Sequence, residues 1–258
     1  MITSVHTLLS KWRASLYEQT QDASNVFQCL SQLLTRAPQT IFEPGCGSGK
    51  LLFPLAEAGY DVLGMDMDEN MLFYAEKKSA IAPMRLFKAD MLLAPWPRDV
   101  DCILLVSDLM HNLATDWEYK QAQKQLIMKS AQSLKKGGQL LLDFDCPISL
   151  KPLTDQSGER CLFEGTDENG TNGKITIKHM EADEKTRLIK SRTKYLFSTN
   201  AEETVSMEEI TVRHMLTLEE TTLWLYRAGF CIEALYGSYD FKPFDEKNRK
   251  CVIAARKV

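Results

Sequence analysis

The chain has 258 residues, 44% of them hydrophobic and 26% charged, enough for one large α/β domain or two small ones. Its formal net charge of −4 argues against a general nucleic-acid binder, and no apolar run approaches the ~20 residues that span a bilayer. Seven scattered cysteines without CxxC or CxxH spacing, and an opening MITSVHTLLSKWRAS without a signal-peptide pattern, lead us to expect reduced thiols, no metal and a cytoplasmic location.

Two helical patterns come first. Leu8, Leu9, Trp12 and Leu16 recur at helical spacing, as do Val26, Phe27, Leu30, Leu33 and Leu34. Asp22 or Ser24 can cap the second helix, and Pro38 follows its end. An alternation then begins. Strands are expected at Thr40–Glu43, Asp61–Met65, Met84–Lys88, Asp101–Val106 and Gln139–Phe144. Helices are expected at Lys50–Ala58, at Glu69–Ser79 with Asp68 as N-cap, and at Trp117–Leu134 before Lys-Lys-Gly-Gly. This rhythm predicts a Rossmann-like, doubly wound, mostly parallel sheet.

After Pro147 the rhythm changes. Residues 152–170 read as loop, and three antiparallel strands follow, GKITIKHM, TRLIKSRTKYLF and TVSMEEITVRHM, with turns at Ala182–Lys185 and Ser198–Glu202. Helix Leu218–Ala228 and strands Cys231–Tyr236 and Cys251–Ala255 then complete a seven-stranded sheet. The organisation expected is one domain. N-terminal helices occupy 1–37, a cofactor-binding core 38–150, an inserted antiparallel β segment 152–215, and the last helix and strands of the core 216–258.

The stretch IFEPGCGSGK places Gly45, Gly47 and Gly49 between a strand and a helix. In open α/β sheets, ligands bind at such carboxyl ends. Glycines there permit tight turns and close approach, and the helix offers free N–H groups. A dinucleotide site needs GxGxxG for its pyrophosphate. Here the spacing is GxGxG, and Glu43 stands two residues before the first glycine, where a carboxylate suits a cationic ligand better.

At this point the chain resembles the class I S-adenosylmethionine-dependent methyltransferases, whose first motif reads acid-x-Gly-x-Gly-x-Gly. Over residues 39–145 further motifs follow in order. The resemblance implies that S-adenosyl-L-methionine is held by Glu43, Gly45, Cys46, Gly47 and Gly49, with Asp66 accepting from the ribose hydroxyls. It implies that Met67 lies against the adenine, Asp90 accepts from the adenine amino group, and the backbone at Met91 meets the ring. Ser107, after the fourth strand, is where the family places cofactor methionine and substrate.

Methyl transfer requires alignment in a dry pocket, and a general base only where the nucleophile arrives protonated. His111, in VSDLMHNL, suits proton removal, with loop capping the alternative. Asp108 is a candidate to anchor a substrate amine or touch the cofactor. Tyr17 matches by position the N-terminal tyrosine that family members acting on amines bring over the methyl group; core packing is its alternative. The absence of Asn/Asp-Pro-Pro-Tyr/Phe argues against adenine or glutamine acceptors.

In small-molecule members such an insertion forms a lid over the acceptor, which places Arg213 near a lid; Tyr239 is a candidate to line the pocket. Lys190, Arg192 and Lys194 share one strand face, which fits either an acidic acceptor or solvent. The expected function is methyl transfer to nitrogen or oxygen of a small molecule, with no nucleic-acid or membrane partner. The alternatives are an NAD(P)-dependent oxidoreductase and a catalytically silent cofactor-binding subunit.

Overall fold

Short apolar strands alternate with amphipathic helices along the first 145 residues, and the structure turns that alternation into a sheet. In this computed structural model, residues 5–34, 39–113, 115–155, 158–198, 204–245 and 250–258 are described. Pro38 and most of the expected Ser198–Glu202 turn lie outside them. Helices α1 (Val5–Thr20) and α2 (Ser24–Leu33) precede β1 (Thr40–Pro44), α3 (Leu52–Glu57), β2 (Asp61–Asp66), α4 (Glu69–Ser79) and β3 (Arg85–Lys88). Then come β4 (Val100–Leu105), a 3-10 turn (Leu109–His111), α5 (Tyr119–Ser133), β5 (Leu134–Asp145) and α6 (Lys151–Thr154). The chain continues with β6 (Arg160–Thr166), β7 (Asn172–Asp183), β8 (Leu188–Ser198), β9 (Thr204–His214), α7 (Leu218–Arg227), β10 (Phe230–Tyr236) and β11 (Lys250–Lys257).

Two compact units result, one formed by Met1–Gln21 with Ser149–Met215, the other by Asp22–Ile148 with Leu216–Val258. The larger carries the seven-stranded sheet in the order β10-β11-β5-β4-β1-β2-β3. Its neighbours from β5 to β3 pair in parallel, and β11 runs against both β5 and β10. Ile103, Leu104 and Leu105 in β4 are all fully buried, as a strand covered on both faces requires. Each such side chain contributes about 1.5–3 kcal/mol by leaving water. The Asp68 carboxylate accepts from the Asn70 N–H and caps α4 as expected. At α2 the Asp22 carboxylate accepts from the Ser24 N–H. No helix among the described residues is long and apolar enough to cross a membrane.

The smaller unit is an antiparallel sheet in the order β6-β7-β8-β9. Ile189, Ser191, Thr193, Tyr195 and Phe197 of β8 face inward. Lys190, Arg192 and Lys194 face out and pair with Glu181, Glu159 and, for Lys194, also Glu208. Such exposed pairs contribute about 0–1 kcal/mol each and mark a solvated face. Helix α1 belongs to this unit: Trp12 is fully buried, meets Phe197 edge-on at 5.1 Å, and donates from Nε1 to the Gly165 carbonyl at 3.1 Å.

Two expectations are corrected. Part of the presumed loop 152–170 is strand β6, an edge strand whose mostly exposed side chains hide it, because backbone pairing with β7 forms it rather than an apolar pattern. Lys-Lys-Gly-Gly does not stand outside the sheet. It lies within β5, where pairing with β4 shifts between Val100↔Leu134 and Cys102↔Gln139, and Gly137 takes φ +76° to make the kink.

Candidate active site

β1 ends at Pro44 and the chain turns over the carboxyl end of the sheet. Gly45, Gly47 and Gly49 take φ of +73°, +54° and +73°, a region costly to side chains. The N–H groups of Gly45 and Cys46 donate to the Met65 carbonyl, at 2.6 and 3.1 Å, and tie the loop to β2. A Cβ on Gly45 would stand 2.6 Å from Leu109 Cδ1, whereas one on Gly47 would meet nothing within 4 Å. Gly47 therefore faces open space, whereas Gly45 packs against protein. The Cys46 side chain turns inward, with Sγ 2.7 Å from where a Gly64 Cβ would be, and burial pushes its thiol up.

Asp66 ends β2 and closes the loop: its Oδ2 accepts from the Gly47 N–H at 2.8 Å and its Oδ1 from the Asp68 N–H at 2.9 Å. Burial raises its pKa while these N–H bonds oppose the rise. An ionised carboxylate accepts at about four sites, so these bonds leave Asp66 capacity for a further donor. Glu43 is buried, and its Oε2 has no hydrogen-bond partner. Burial, and then the charge of Asp66, push the Glu43 carboxyl well above its usual range.

A buried carboxylate with an empty lone pair is a cost the fold bears unless something cationic satisfies it. A raised folded pKa means the contribution to stability is full below the ordinary carboxylate range and is lost as pH rises toward the raised value. Glu43→Gln is therefore expected to raise the melting temperature of the free protein above pH 6, by about 2–4 °C per kcal/mol relieved. It should also weaken binding of a cationic ligand. A scan showing the variant less stable at pH 8 than at pH 4, relative to wild type, would reject this.

Met67 stands 53% exposed beside Asp66, an apolar face without a cover of its own. Asp90 follows β3; its Oδ1 accepts from the Leu92 N–H at 2.7 Å and its carbonyl from Ala94 at 2.8 Å. Lys129 of α5 fastens this turn by donating to the carbonyls of Met91, Leu92 and Ala94.

At the end of β4, Ser107 and Asp108 take φ of +61° and +57°. Left-handed residues other than glycine cost of order 1–3 kcal/mol each. Both donate their N–H to Asp143, at 2.9 Å. Asp143 is fully buried in β5 and also accepts from the Tyr239 hydroxyl at 2.5 Å. Lys250 lies 3.0 Å from Asp108, 3.7 Å from Asp143 and 3.5 Å from Asp145. Burial raises the Asp143 pKa, against the pull of Lys250 and the Tyr239 hydrogen bond.

His111 is buried, stands edge-on to Phe144 at 6.3 Å, and accepts at Nε2 from the Leu216 N–H at 3.3 Å. Proton removal by that nitrogen would first require breaking this bond. Glu43, the glycine loop, Asp66, Met67, Asp90, Met91, Ser107, Asp108, His111 and Tyr239 all belong to the larger unit. Tyr17 and Arg213 belong to the smaller one, Tyr17 half-buried in α1 and Arg213 opposite Ile189 in the sheet.

Sequence reasoning missed Asp143, Lys250 and Lys129. Asp143 had a signal, an acid interrupting the apolar run LLLDF. Lys250 had none, since its place depends on strand register. A polar hollow lined by Gln39, Asp101, Lys135 and Arg256 lies at the opposite, amino end of the strands, and its Lys135 pairs with Asp101. Among the described residues no group of three or more His, Cys, Asp or Glu could hold a metal.

Residues 41–138 match the family described as methyltransferase domain. A protein of Geobacillus sp. (strain WCH70), named as a candidate methyltransferase, is 27% identical over 141 residues, 54% of each chain. A similarly named protein of Bacillus subtilis (strain 168) is 27% identical over 134 residues, 50% of this chain and 53% of its own length. The chain thus matches about half the length of these curated relatives. Among solved structures, an S-adenosylmethionine-dependent methyltransferase from Clostridium acetobutylicum aligns with TM-score 0.69 at 16% identity, over 98% of this chain and 99% of its own. The S-adenosylmethionine-bound amino pentose methyltransferase CalS10 from Micromonospora echinaspora aligns with TM-score 0.64 at 17% identity, over 100% and 98%. The sugar N-methyltransferase KedS8 from a Streptoalloteichus species aligns with TM-score 0.66 at 18% identity, over 100% and 95%. The fold is that of the S-adenosylmethionine-dependent methyltransferases.

Proposed function

We propose that this chain, whose residues 41–138 carry a methyltransferase domain on the fold of the S-adenosylmethionine-dependent enzymes, transfers a methyl group to nitrogen or oxygen of a small molecule. The observation that carries the reading is the buried, partnerless Oε2 of Glu43 under a loop whose central glycine faces open space. A cationic group satisfies that oxygen and favours the charged form of the carboxyl; a diphosphate does neither. S-adenosyl-L-methionine, when bound, supplies a methyl group on a positively charged sulfur with a neutral leaving group.

The chain's own residues would hold it in parts. Asp66 accepts from the ribose hydroxyls, Met67 covers one adenine face, and Asp90 with the backbone at Met91 meets the adenine edge. Glu43 and the glycine loop take the amino-acid end, and Ser107 borders it. Asp108 stands at the same strand end, where it orients an acceptor amine or the cofactor. The small-molecule acceptor is supported by the named activities of CalS10 and KedS8. His111, held at Nε2, is better suited to fix the turn than to take a proton.

Calorimetry tests the reading against the nicotinamide alternative. S-adenosylhomocysteine is expected to bind in the micromolar range and NADH not at all; the reverse would overturn it. A panel of small amines and hydroxyl compounds with labelled S-adenosylmethionine separates an enzyme, which yields a methylated product, from a silent cofactor-binding subunit, which yields none.

A further inference from the structure

Successive backbone N–H groups in a turn can converge on one anion. At Ser107 and Asp108 the anion is part of the protein: Asp143, from the middle of the sheet, meets them with both oxygens, each 2.9 Å from one N–H. Aspartate tolerates the left-handed conformation better than most residues, but Ser107 before it has no such preference, and the pair of bonds to Asp143 offsets the cost of holding both. Asp143 is itself held from two sides. The Tyr239 hydroxyl donates to its Oδ2 at 2.5 Å, and Lys250 bridges it to Asp108.

The turn so held leads directly into Leu109. That side chain occupies the space in front of Gly45, 2.6 Å from where a Cβ would be. A chain of contacts thus runs from Asp143 through Ser107–Asp108 to Leu109 and the first glycine of the loop. Asp66, at the other side of the loop, is fixed by different bonds, from Gly47 and Asp68.

We infer that Asp143, braced by Tyr239 and Lys250, is a positioning residue that presses the Ser107–Leu109 turn against Gly45 and so shapes the amino-acid half of the cofactor site, leaving the adenosine half to Asp66. This rests on the cofactor reading given above. The two halves can be probed apart, because 5′-methylthioadenosine keeps the adenosine and the sulfur but lacks the amino-acid end of S-adenosylhomocysteine.

The test is calorimetry of both ligands on wild type, Asp143→Asn, Tyr239→Phe, Lys250→Arg and Lys250→Met. Asparagine offers an NH2 where one N–H needs an acceptor. Asp143→Asn is expected to weaken S-adenosylhomocysteine about tenfold and 5′-methylthioadenosine by less than about twofold. Tyr239→Phe should show the same selectivity with a smaller loss, and it keeps the test open if Asp143→Asn does not fold. Lys250→Arg should retain affinity and Lys250→Met lose it. An equal loss for both ligands would mean a merely structural acid and overturn the inference, as would no loss for either. If wild type binds neither ligand, it is the cofactor reading itself that fails.

Discussion

Asp66→Ala is expected to weaken S-adenosylhomocysteine at least about 100-fold while leaving the cooperative melting transition in place. Two hydrogen bonds from ribose hydroxyls to one carboxylate are worth about 1.5–3 kcal/mol each, and 1.4 kcal/mol is a factor of ten. The fold itself loses less. The carboxylate is buried enough for its pKa to rise, so removing it relieves a desolvation cost that offsets the lost bonds from Gly47 and Asp68. Asp66→Asn, which retains one acceptor oxygen, should fall between wild type and alanine. Calorimetry decides: an unchanged dissociation constant for Asp66→Ala would remove the ribose assignment.

The largest stability effect is expected at Trp12→Ala. Trp12 is fully buried in the smaller unit, and its indole lies in slots where a Cβ on Gly173 would come within 2.6 Å of the ring. Truncating a buried tryptophan costs about 3–5 kcal/mol, the lost transfer energy plus the cavity. The Gly165 carbonyl also loses its indole donor. Hydrogen exchange reads this locally: amides of β7 and β8 should exchange faster by a factor of at least about 100. Unchanged protection of those strands would show that α1 does not hold that sheet.

Much of this was visible in the residues. The glycine spacing, Asp66 at a strand end and Asp90 at the next announce themselves locally, because loops at the carboxyl ends of parallel strands are short and ordered by the chain. Continuous apolar runs such as CILLV gave the strands of the larger sheet. What escaped depends on pairing across distance. β6 is built by its backbone partner β7, so its side chains, RCLFEGT, carry no alternation to find. The meeting of Asp143, Tyr239 and Lys250 joins residues about a hundred positions apart, and no local pattern encodes a separation of that size. The attachment of α1 to the smaller unit was equally hidden, since Trp12 meets Gly165 across 153 positions of chain and Phe197 across still more.

An antiparallel strand begins where its parallel neighbours finish. β11 therefore delivers its opening residue, Lys250, to the rim that the other strands reach with their last residues, opposite Asp145. The link between β10 and β11 carries Tyr239, whose hydroxyl holds Asp143, so a change of length is expected to leave the ammonium in place only where it spares that contact and keeps this one pairing. A slip of a single step would turn the lysine to the other face and put Cys251 in its stead. Drift in length can be absorbed at this edge wherever the tyrosine keeps its place; drift in phase cannot.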